Sequence, residues 1–126
     1  MKDIDQLTPD IARELLHYEP FSGRLLWKHR SLDWFENKRS WATWNGRYAG
    51  KPAGMISRTS KGYKLLQIKV LGKTIAARKV AWMIYTGNLP PDQIGHRNQD
   101  ATDIRWENLM EGSHKIIGRN RFISPL

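Results

Sequence analysis

A change of hydrophobic period within residues 63–88 is the strongest constraint on what this chain can fold into. Across 63–70, Leu66, Ile68 and Val70 alternate with Gln67 and Lys69, the two-residue period of a strand with one buried face. Leu71 and Gly72 turn the chain into a further candidate strand, 73–77. From Arg78 to about Tyr85 the period lengthens, so that Val80, Ala81 and Ile84 share a helical face. Thr86, Gly87 and Asn88 then supply a helix stop, and Pro90-Pro91 begins a linker. With another strand expected at 52–56, ahead of Gly62, the pattern predicts an α+β protein containing a small antiparallel three-stranded sheet and a helix.

Toward the N-terminus, Thr8, Pro9 and Asp10 read as a cap, a first-turn proline and a first-turn acid. Ile11, Leu15 and Leu16 give that helix its apolar stripe, and it is expected to end near Tyr18. The segment YEPFSGRLLW, 18–27, reads as a hairpin turning at Pro20 and Ser22-Gly23, with Leu25, Leu26 and Trp27 on the returning strand. Between 33 and 49, Trp34, Phe35, Trp41, Trp44 and Tyr48 interleave with Lys38, Arg39 and Arg47. Such a cluster is either core with its bases turned outward, the expectation here, or a stacking platform for nucleic-acid bases. Three stretches follow: 1–49 with helix, hairpin and aromatic-rich segment, 50–88 with the basic sheet and helix, and 89–126.

Charge separates these stretches. From Asn37 to Pro91 there is no Asp or Glu, although spreading the chain's 12 acids evenly would put about five there. The same residues include Arg58, Lys61, Lys64, Lys69, Arg78 and Lys79. A basic region on a chain of net charge +9 is the electrostatic footprint of a polyanion, because Lys and Arg on phosphates release condensed counterions. There is no cysteine, which excludes a disulfide scaffold, a thiolate zinc site and a cysteine nucleophile. The opening MKDIDQLTPD has no apolar run, so no signal peptide is expected, and no stretch approaches the roughly 18 apolar residues of a membrane span.

The most specific stretch runs from Gln93 to Arg121, QIGHRNQDATDIRWENLMEGSHKIIGRNR. It predicts a strand to Asn98, a polar loop through Asp103, a second strand near 106–110 and a short helix opening at Ser113. With AARKVAW at 76–82, TGNLP at 86–90, IGHRNQDATDIRWENL at 94–109 and SHKIIGRN at 113–120, the chain resembles the HNH endonuclease family. The likeness is to the phage and prophage branch that carries an AP2-like sheet before a ββα-metal hairpin and helix. LLHYEPFSGRLLWKHR and RYAGKPAG upstream resemble that branch as well.

The resemblance implies that His96 stands where the family has its general base. The metal-ligating acid just before it is Gly95 here, the second ligand, an Asn in the helix, is Ile117, and the upstream His is Ala77. Asn98, Asp100, Asp103, Arg105 and Asn108 fall on pattern as fold-keeping positions. Glycine and isoleucine offer no oxygen to the hard cation that phosphodiester hydrolysis needs. General-base help from His96 alone is worth about 10²–10⁴-fold, so His96 is expected to be vestigial. The implied protein binds double-stranded DNA, or a DNA-handling protein, in the cytoplasm of a bacterial or phage-infected cell, and needs no cofactor. Its expected DNA contacts are Arg58, Lys61, Lys64, Lys69, Arg78, Lys79, Arg97, Arg105, Lys115, Arg119 and Arg121. One alternative is an active nicking enzyme using Mg, Mn or Zn through variant ligands, with His96 and His114 as a candidate zinc pair. The other is a basic protein that meets an acidic protein partner.

Overall fold

The computed structural model describes residues 7–112. Helix α1, Pro9–Leu15, opens where the Thr8 side chain accepts the Ile11 amide at 3.3 Å and Pro9 occupies a first-turn position with no amide to satisfy. It stops at Leu15, earlier than expected, because residues 16–19 serve a sheet instead. Strand β1, Leu16–Glu19, pairs antiparallel with β2, Arg24–Trp27, burying Leu16 and Tyr18 while His17 stays exposed. Gly23 in the turn has φ +76 and lies where a Cβ would come within 2.9 Å of the Arg105 amide nitrogen, so the turn needs glycine on both counts.

A 3-10 turn at Leu32–Trp34 leads into α2, Lys38–Tyr48, capped by Asn37 accepting the Ser40 amide at 2.8 Å. The core expectation for the aromatic segment holds for Trp34, which is buried. It does not hold for Trp41 and Trp44, which are half-buried, or for the exposed Tyr48. The strand expected at 52–56 is β3, Met55–Arg58. Ahead of it, Pro52 bridges to Leu26, the Ala53 amide donates to the Leu25 carbonyl at 2.7 Å, and Gly54 at φ +98 breaks the extended run.

Strand β4, Lys64–Val70, lies between β3 and β5, Lys73–Ala76, in an antiparallel sheet of order β3-β4-β5. Leu71 (φ 54) and Gly72 (φ 76) both take left-handed conformations in the connecting two-residue turn, the backbone that matches strand twist. The chain passes directly into α3, Ala77–Thr86, which ends at Gly87 in the left-handed region. Strands β6, Ile94–His96, and β7, Leu109–Glu111, then form an antiparallel hairpin; β6 stops at His96, short of the expected Asn98. The described architecture is therefore α+β, with small antiparallel sheets and three α-helices.

One apolar cluster gathers residues from most of these elements, though not from α2 or β3, including Leu15 and Tyr18, Leu25, Trp34, Ile68 and Val70, Val80 and Met83, and Ile94, Ile104 and Leu109. Helix α3 packs on α1, β1, β4 and β5, which holds the sheet and the N-terminal hairpin in one body. Among the described residues no helix is long and apolar enough to cross a membrane.

Candidate functional site

Between β6 and β7 the chain makes a polar loop whose order is built from short side chains bonding to nearby backbone. The His96 carbonyl accepts the Gln99 amide at 2.9 Å while Gln99 takes φ 62. Asn98 Oδ1 accepts the Asp100 amide at 2.9 Å, and Asp100 Oδ1 accepts the Thr102 amide at 2.9 Å and its hydroxyl at 2.6 Å. These are the local turns Asn and Asp favour. The Thr102 bonds hold the Asp100 carboxyl below its ordinary range, with a weaker contribution from His96.

Asn108 is the centre of the loop and is buried at 4% exposure. Its Oδ1 accepts the Asn98 amide at 2.9 Å, its Nδ2 donates to the Asp103 carbonyl at 2.8 Å, and its own carbonyl accepts the Arg97 amide at 2.7 Å. Asp103 receives Asn98 Nδ2 at 2.9 Å and the Arg105 guanidinium through Nε at 2.9 Å and Nη2 at 2.8 Å. The hydrogen bonds from Arg105 hold the Asp103 carboxyl below its usual range, and the same pairing raises the Arg105 guanidinium.

Three distant segments fix this loop in place. The buried Tyr18 hydroxyl donates to the Ile104 carbonyl, the Trp106 amide donates to the Pro20 carbonyl at 3.0 Å, and the Leu66 amide donates to the Ala101 carbonyl at 3.1 Å. Burial pushes the Tyr18 phenol up, so the hydroxyl keeps its proton. Trp106 also stacks on Tyr85 of α3, with ring centroids 4.1 Å apart and planes 18° apart. None of these partners is signalled by local sequence.

His96 ends β6 opposite Leu109 and is buried at 7% exposure. Gly95, beside it, faces Met110 across the hairpin. A Cβ at Gly95 would stand 2.8 Å from the Gly112 carbonyl oxygen and 2.9 Å from the Met110 terminal methyl. The first obstacle is backbone and cannot swing aside. Among the described residues no group of three His, Asp or Glu is placed to hold a metal ion. Ser113, His114, Lys115, Ile117, Arg119 and Arg121, with the helix expected at Ser113, lie outside the described residues.

The bases expected to meet DNA are not on one face. Strand alternation places Lys69 opposite the side of the sheet that carries Ile68 and Val70, whereas Arg58 and Lys64 pair with each other at the β3–β4 end, near the exposed Lys61. Lys79 and Arg78 lie half-buried in the first turn of α3, and burial lowers the Arg78 guanidinium from its ordinary value. Arg97 is exposed beside the loop, its Nε donating to the Glu107 carbonyl at 3.1 Å. Arg105 is paired within the loop. Besides Asp103, it holds Glu107 Oε1 through Nη1 at 2.8 Å, so its guanidinium is engaged by two carboxylates while its side chain stays partly exposed.

A short antiparallel hairpin encloses an Asn- and Asp-locked loop, following a three-stranded sheet and a helix in the chain. Residues 76–119 match the family model described as HNH endonuclease, so that segment of the chain is similar to the HNH endonuclease family. Neither the curated proteins nor the solved structures give a match.

Proposed function

We propose that this chain binds double-stranded DNA on an HNH scaffold whose metal-ligand positions have been lost, and that it acts by occupancy, in phage or prophage regulation or interference, rather than by cleavage. One observation carries the proposal: at Gly95, where the resemblance calls for a ligating acid, the direction a side chain would take is filled by the Gly112 carbonyl and the Met110 methyl, while the loop held by Asn98, Asp103 and Asn108 is complete. Packing has closed over the ligand position and the framework has stayed. The acid-free region from Asn37 to Pro91 supports a polyanion partner. The three-stranded sheet with α3 is taken as the AP2-like element, offering Lys69 on one face and Arg58, Lys61 and Lys64 at the hairpin end, with Lys79 on α3 and Arg97 beside the motif loop as further bases.

Two measurements test this. Supercoiled plasmid incubated with the protein and Mg²⁺, Mn²⁺ or Zn²⁺ should remain intact; nicking that disappears in His96→Ala would establish the active-enzyme alternative instead. Duplex affinity should fall steeply with ionic strength, by roughly 10³–10⁵-fold between 50 and 200 mM salt if six to ten phosphates are contacted. Affinity indifferent to salt would favour an acidic protein partner.

A further inference from the structure

The aromatic segment of α2 is not used by the loop, and its geometry has a purpose of its own. Asn45, buried in α2, accepts the Arg30 amide through Oδ1 at 2.8 Å and donates from Nδ2 to the carbonyls of Arg30 at 3.1 Å and Trp41 at 3.0 Å. Trp41 Nε1 donates to the same Arg30 carbonyl at 2.8 Å. These bonds pin the backbone of Arg30 and send its guanidinium over Trp44, 4.0 Å from the ring centroid, and toward Trp27 at 5.2 Å. Its Nε is buried without a hydrogen-bond partner, and among the described residues no carboxylate pairs with it. Burial lowers this guanidinium to about 10, still well above neutral pH, so a charged and partly desolvated cation is held ready for an oxyanion.

Trp44 and Tyr48 form a wall, with ring centroids 5.3 Å apart, between two hollows. One, of about 490 Å³, lies toward Trp27, Arg30, Met55 and Lys69; the other, of about 400 Å³, lies toward Phe35, Arg39 and Arg47. Every charged side chain lining either hollow is basic. A duplex cannot use such a wall, because its base faces are already stacked inside the helix. An unpaired base can, and base–aromatic stacking beside a cationic groove is how single strands are held without sequence readout.

We propose that the Trp27–Arg30–Trp44–Tyr48 groove is a second site, distinct from the duplex-binding surface, that takes an unpaired nucleotide of single-stranded DNA. The base stacks on the Trp44 and Tyr48 wall, and the flanking phosphates meet Arg30 and Arg47.

Fluorescence anisotropy with a labelled oligothymidine of about 12 nucleotides, within the range single-strand sites cover, tests this against an abasic phosphodiester strand of equal length. The thymidine strand should bind at least about 5-fold more tightly, the lower end of what one stacked base supplies. Trp44→Leu should remove that preference while leaving abasic-strand and duplex affinity within about twofold, since it deletes a stacking face and no charge. Tyr48→Leu, at the exposed end of α2, repeats the test should Trp44→Leu fail to fold. Equal affinity for the two strands, or a preference that survives in a folded variant, would overturn the site. Arg97→Ala should weaken duplex binding and leave the thymidine preference untouched, so loss of the duplex proposal and loss of this one give different results.

Discussion

Replacing Asn108 by Ala removes the one side chain that joins both ends of the motif loop, and its cost can be worked from the geometry. Two hydrogen bonds go, the one accepted from the Asn98 amide at 2.9 Å and the one donated to the Asp103 carbonyl at 2.8 Å. A buried polar group left without its partner costs about 1–3 kcal/mol. Asn98 is exposed and Asp103 half-buried, so water reaches both orphaned groups in part and the lower half of that range applies to each. The expected total is about 2–3 kcal/mol, a large share of the roughly 5–15 kcal/mol that holds a domain of this kind together. Asn98→Ala is the matched control. It also removes two side-chain bonds, to Asp103 Oδ2 and from the Asp100 amide, but at an exposed position, and should cost below about 1 kcal/mol. Urea unfolding with an unchanged m-value reads both. An Asn108→Ala loss under about 0.5 kcal/mol, or an Asn98→Ala loss as large, would refute the assignment of Asn108 as the loop's centre.

Gly95→Ala should destabilise by about 1–3 kcal/mol through overpacking against the Gly112 carbonyl, read by the same unfolding curves; a neutral outcome would mean the position is open. Tyr18→Phe should cost about 1–2 kcal/mol, because the Ile104 carbonyl loses a buried donor. Asp103 is depressed in the folded state, so the unfolded chain takes up its proton first. Its contribution is complete above the unfolded value near about 4 and is lost as pH falls through the folded one, and Asp103→Asn should flatten stability against pH in that acid window. Arg105→Gln should lower stability yet leave the salt slope of duplex binding unchanged, whereas Arg97→Ala should reduce that slope by about 1.

Elements whose signals are local were readable in the sequence. Gly87 ends α3 and Leu71-Gly72 makes the β4–β5 turn because each depends on backbone conformations that a few residues determine. Residues 16 to about 18 read as the end of a helix because Leu15 and Leu16 satisfy a helical stripe as well as the start of a strand. Pairing with residues 24–27 decides between them, and that is not local. The register of β3 shifted for the same kind of reason, since Pro52 and Ala53 bond to Leu26 and Leu25 of another element. The contact of Tyr18 with Ile104 crosses 86 residues and leaves no trace in either neighbourhood. Arg105 is different, because Asp103 and Glu107 stand two residues to either side in a loop, and that spacing offered a sign that its charge was already answered.

The motif positions divide along the same line. Side chains that bond within their own loop, Asn98, Asp100 and Asp103, keep their roles whatever happens at Gly95, because none of their bonds passes through it. A ligand position has no such local support, and its identity matters only through what it binds. A Cβ at Gly95 would meet Met110 and the Gly112 carbonyl, so placing an oxygen donor there requires moving backbone as well as changing a residue. A cationic surface is under no comparable geometric demand. Long Lys and Arg side chains serve phosphate from either face of a strand, as Lys69 and Lys64 must if both take part, so on the proposed reading DNA affinity survives changes that would ruin a metal site.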